Sequence, residues 1–103
     1  RLPKRVIGVR HDDNAGWMIM MSGRYAGIMS NLDSEPEIVK LPGPVMDSIG
    51  TSEGNWIWTG WRHDGKMEDG VIEVRDREGI GISILGNRVL TNSGDWSDYA
   101  FTE

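Results

Sequence analysis

Val6-Ile7-Gly8-Val9-Arg10 recurs as Val71-Ile72-Glu73-Val74-Arg75, and each copy leads into the same succession of signals. A polar turn follows (Asp12 to Gly16, then Asp76 to Gly79). An apolar run comes next (Trp17 to Met21, then Ile80 to Leu85), closed by a tight turn at Ser22-Gly23 or Gly86-Asn87. Short β-branched runs punctuated by Gly, Asp and Asn suit strands joined by hairpins. The expected fold is therefore all-β: two antiparallel β-meanders forming a small sandwich or barrel, about eight short strands, with little or no helix. Arg10-His11-Asp12 also recurs, as Arg62-His63-Asp64, but at a different offset. The two recurrences disagree, which favours shared hairpin grammar over duplication. Their spacing also exceeds the roughly 40-residue period of propeller blades.

The strands expected in the first meander are Arg5 to Arg10, Trp17 to Met21 and Arg24 to Ser30. Trp17 to Met21 is apolar on both faces and so reads as a central strand covered on both sides. Residues 31–54 read as a long irregular connection within a single domain spanning 1–103. Glu37 to Lys40 is expected there as an edge strand and Val45 to Ile49 as a helical turn. Leu41-Pro42-Gly43-Pro44 cannot form an interior strand, because proline lacks the amide donor. Asn55 to Arg62 is expected as a fourth strand, with Trp56 and Trp58 on one face and Ile57, Thr59 and Trp61 on the other. His63 to Gly70 reads as a charged loop. The second meander is Val71 to Arg75, Ile80 to Leu85 and Arg88 to Thr91. Trp96 to Phe101 is a last strand expected at the edge of the first meander.

Composition bounds the function. Eleven basic against sixteen acidic residues give a net charge of −5, and no basic stripe interrupts it. Nucleic acid and anionic membrane are therefore not expected partners. The longest apolar run is far shorter than a membrane-spanning helix. The chain has no cysteine, which excludes disulfides and thiolate chemistry, and begins at Arg1, as expected if a leader or upstream domain was removed.

The tryptophans carry the functional expectation. Trp56 and Trp58 share a strand face and, if outward, offer the flat apolar platform that stacks on the C–H face of a sugar. Asn55, Arg62, His63 and Asp64 would then hydrogen-bond its hydroxyls. Trp17 and Trp61 read as core, since large aromatics supply much of the apolar area of a small glycine-rich domain. His11-Asp12-Asp13 and His63-Asp64 have metal-ligating chemistry. Asp12, Asn14 and Gly16, however, copy only a fragment of a calcium loop, so turn chemistry is the simpler reading and no metal or other cofactor is expected. No Gly-x-Ser-x-Gly elbow occurs, and Gly79-x-Gly81 precedes a strand rather than a helix. An enzyme is not expected. The leading expectation is a binding module recognising a glycan or other surface receptor. The alternatives are a structural subunit of a β-rich homo-oligomer, such as a virion or tail component, and a small acidic inhibitor or immunity-type protein.

Overall fold

The computed structural model describes residues 2–102 and is all-β, with no helix among them. Sheet 1 is a meander of β1 (Val6–Asp12), β2 (Gly16–Met21), β3 (Tyr25–Met29) and β4 (Glu37–Lys40), in that order. Sheet 2 continues with β5 (Val45–Gly50), β6 (Trp56–Glu68), β7 (Val71–Leu85), β8 (Arg88–Thr91) and β9 (Trp96–Asp98), also in chain order. Every pairing is antiparallel. Nine strands in two open sheets settle the architecture as a sandwich-like packing rather than a closed barrel.

Sheet 1 follows its sequence pattern. Met18 lies opposite Ile28 and Met20 opposite Ala26, and all four turn toward sheet 2. The opposite face carries the row Val9, Ile19, Gly27, Ile38 across all four strands. The β1–β2 turn is held by Asp12, whose carboxylate accepts the amides of Asn14 and Ala15, both at 2.9 Å. This is an Asx turn, which is the turn chemistry expected there.

Sheet 2 departs from expectation in four places. Val45–Gly50 is a strand, not a helical turn, and it pairs with β6 through Ser48 opposite Trp58 and Ile49 opposite Ile57. The charged run His63–Glu68 continues β6, and Val71–Leu85 is one strand rather than two. The Asp76–Gly79 turn is a bulge. Trp61 pairs with Ile80 and His63 with Asp76, so β7 carries extra residues where Arg62 takes a left-handed φ of 66°. Bulges add bend and twist, and this one swings the β6–β7 ribbon back over its own sheet. Lastly, β9 pairs with β8 and not with the first meander. The second run is thus no structural copy of the first.

The bend creates a core with three walls. Trp56, Trp58 and Val45 of sheet 2 meet Met18, Met20, Ala26 and Ile28 of sheet 1, and Met67 and Ile72 close in from the folded ribbon. A methyl group at Gly65 would collide with the Trp58 indole, so the ribbon can lie on that ring only with glycine there. A second cluster of Ile84, Val89 and Tyr99, with Ile49, Ile57 and Phe101 packed on it, covers the other face of sheet 2.

Candidate functional site

The structure separates the six residues grouped from the sequence. Trp56 and Trp58, expected to face outward, are 1% and 0% exposed. The reason is that β6 has two inward faces: sheet 1 and the ribbon cover the tryptophans, and the Ile84–Val89–Tyr99 cluster covers Ile57. Trp56 donates its indole N–H to the Ala15 carbonyl at 3.2 Å, which ties the β1–β2 turn to sheet 2. Asn55 stands at the far end of β6, where its side-chain oxygen accepts the Asp69 amide at 3.1 Å.

His63 and Asp64 are fully buried and serve the ribbon. His63 Nε2 accepts the Trp58 indole N–H at 3.0 Å, and Nδ1 lies 3.0 Å from the Trp61 carbonyl. Indole nitrogen only donates, so Nε2 must be bare and the proton sits on Nδ1. Burial holds the imidazole below its ordinary pKa, against the upward pull of the Trp61 carbonyl and of Asp64. Asp64 accepts Thr59 Oγ1 at 2.6 Å, Arg77 Nε at 2.7 Å and the Ala100 amide at 2.9 Å. Arg77 extends this network to Ser97 Oγ and the Asp98 carbonyl, at 2.7 and 2.9 Å. The buried pair therefore clips the C-terminal segment onto the ribbon. Tyr99 completes the clip by donating to the Gly65 carbonyl at 2.5 Å. Burial, then Asp64 and Glu68, push its phenol pKa upward against the opposing pull of Arg75, so the hydroxyl stays a donor.

Asn55 and Trp56 line one cavity of about 290 Å³ with Thr51, Glu53, Ile57 and Glu68, but its tryptophan is buried. Arg62 lies in a different groove, whose tryptophan is open to solvent. This groove, about 440 Å³, is lined by Gly23, Arg24, Pro42, Gly43, Pro44, Trp61 and Arg62. Trp61, expected in the core, is 46% exposed. It stands just before the Arg62 kink, beyond the reach of the cluster that covers Ile57 and Thr59 on the same strand face. The Pro42-Gly43-Pro44 wall is fixed to it: the Trp61 amide donates to the Pro44 carbonyl at 3.1 Å, and the Leu41 amide to the Arg24 carbonyl at 2.7 Å. Any side chain at Gly43 would strike Trp61. No family model, curated protein or solved structure matches this chain.

The arrangement is a half-exposed indole in a groove lined also by two arginines and walled by Pro42 and Pro44. Such a groove can stack an apolar ring face and neutralise one or two negative charges. Among the described residues no group of three His, Asp or Glu side chains converges as metal ligands. Sequence reading missed Trp61, Arg24 and the proline wall as site components. The available signal was the pairing refusal of Leu41-Pro42-Gly43-Pro44, which marks a rigid surface segment rather than only a break.

Proposed function

We propose that the protein is a non-enzymatic binding module for an anionic saccharide, carried in the groove of Trp61, Arg24 and Arg62. The half-exposed Trp61, in a groove that Arg24 and Arg62 also line, carries this reading. A pyranose offers a C–H face for the indole, and a carboxylated sugar adds the charge that a planar guanidinium grips in a bidentate fork. The local pair of arginines stands out on a chain whose net charge is −5. A long polyanion would be repelled by the rest of the surface, whereas a single acidic residue of a glycan chain would not.

The left-handed backbone of Arg62 supports the same reading. A non-glycine residue at φ 66° costs roughly 1 kcal/mol, a cost that glycine would remove. Retaining arginine there gives up stability for a side chain placed at the groove. Arg62→Gly is therefore expected to raise the unfolding midpoint while weakening binding about tenfold.

Titration with uronic or sialic acid monosaccharides and oligomers, followed by tryptophan fluorescence, tests the reading. Saturable quenching is expected for acidic sugars and much weaker quenching for neutral ones. Trp61→Ala should abolish it and Arg24→Ala should weaken it about tenfold, with unfolding midpoints near wild type. A flat response to acidic and neutral sugars alike would overturn the assignment.

A further inference from the structure

Two open sheet edges carry the same signature. β1 has β2 as its one strand partner, with only the Arg10 side chain reaching across to Asp47 of β5, and β7 pairs with β8 only from Gly81 onward, which leaves its outer side bare from Val71 through the bulge. These are the two Val-Ile-x-Val-Arg runs. Their side chains are exposed where an edge is ordinarily guarded: Val9 is 50% and Val74 42% exposed, with Val6 and Val71 similarly open. Edges of this kind are normally blunted by lysine, proline or a bulge. β1 has a bulge between Val6 and Gly8, but Gly8 to Asp12 remain in regular register. The β7 edge has no such device before Asp76.

Charge distinguishes the two edges. Residues 1–44 hold six Lys and Arg against five Asp and Glu, while the remainder hold five against eleven. Lys4 and Arg5 lead into β1, whose Arg10 is engaged by Asp47 and whose far end carries Asp12 and Asp13, whereas Asp69, Glu73, Asp76 and Glu78 fall in or beside residues 71–78 of β7. The arginines on β7 are engaged elsewhere, Arg75 with the Ala100 carbonyl and Phe101 ring, Arg77 with Asp64. Two β7 edges therefore repel each other, and the Lys4-Arg5 end of a β1 edge attracts one of them.

We infer that a second copy of this chain covers these edges, the β1 edge of one copy pairing with the Val71–Asp76 edge of the next. Such a contact is heterologous, so it propagates into a ring or an open row rather than stopping at a symmetric dimer. The Trp61 groove belongs to neither edge and stays accessible, so this assembly stands independently of the saccharide reading.

Sedimentation velocity on the wild-type chain and on Val9→Lys and Val74→Lys variants tests it. Both sites are half-exposed, so circular dichroism and unfolding midpoints should match wild type; Val6→Lys and Val71→Lys provide a second pair should either fail. Wild type is expected to form species larger than a dimer with rising concentration, and to weaken between roughly 0.05 and 0.5 M salt. Each variant alone should remain monomeric, because each has lost one half of the contact. Mixed one to one, the two variants should form a dimer and nothing larger, through the one intact edge that each retains. A wild-type chain that stays monomeric at about 0.5 mM would overturn the inference. So would either variant associating with itself, or a mixture that fails to dimerise while wild type assembles.

Discussion

Trp58 and His63 show how one hydrogen bond between side chains can decide a protonation state. The indole N–H occupies Nε2, so a protonated imidazole would set two donors against each other. Burial lowers the folded pKa, against the upward pull of the Trp61 carbonyl and Asp64, and the linkage has a definite sign. Above about pH 6.5 both folded and unfolded chains hold a neutral histidine, and its contribution to stability is fully present. As pH falls below that value the unfolded chain takes up a proton that the folded chain refuses. Stability then declines with a slope of one proton until the lower folded pKa is reached. Denaturant melts at pH 7.5 and 5, compared with His63→Gln, should show the decline in wild type and a flatter profile in the variant. Ser48 is a simpler case at the same scale. Its hydroxyl is buried opposite Trp58 without a hydrogen-bond partner, so Ser48→Ala should leave the fold intact and raise stability by roughly 1 kcal/mol in the same melts.

The bent β6–β7 ribbon is the element on which both the core and the groove depend. It brings Met67 and Ile72 onto the tryptophans and turns Trp61 outward at the kink. Gly65→Ala tests how tightly it must lie, because the added methyl meets the Trp58 ring. Overpacking of this kind costs about 1–3 kcal/mol, read as a lowered denaturant midpoint with a near-unchanged slope. This element was also the least legible in the sequence. Sheet 1 could be read almost strand by strand, because its runs alternate and its turns are marked by Asp12, Gly16 and Gly23. The ribbon hides its strands under charge: Asp64, Lys66 and Glu68 suggest a loop, yet Asp64 is buried by Arg77 and Lys66 lies over the Phe101 ring. A local signal was present in Asp69-Gly70, which takes left-handed φ values of 52° and 80° and closes the hairpin as this dipeptide favours. The bulge had no such mark, since Asp76 to Gly79 serves a turn and a bulge equally well. The candidate site suffered from the same gap. Alternation correctly put Trp56 and Trp58 opposite Trp61, but which face is wet depends on the fold-back, a long-range fact.

At the scale of the whole molecule, Asp47 joins the two sheets. From the edge of sheet 2 it accepts Arg10 of β1 at 2.6 Å and the Ile84 amide of β7 at 2.8 Å. These bonds are unequal in consequence. The Arg10 side chain is half exposed and can exchange the carboxylate for water, so the ion pair itself adds little. The Ile84 amide is buried beside the register shift between Gly81 and Ser83, and it has no comparable recourse to solvent. Arg10→Ala should therefore cost under about 1 kcal/mol. Asp47→Ala should cost roughly 1–3 kcal/mol, because it strands that amide. Asp47→Asn, which keeps an acceptor oxygen without the charge, should fall between them. Equilibrium unfolding of the three variants checks the order. Were Arg10→Ala as damaging as Asp47→Ala, charge attraction between the sheets would outweigh backbone satisfaction. The expected order instead makes the inter-sheet contact chiefly a consequence of completing β7, with the salt bridge riding on a carboxylate already needed there.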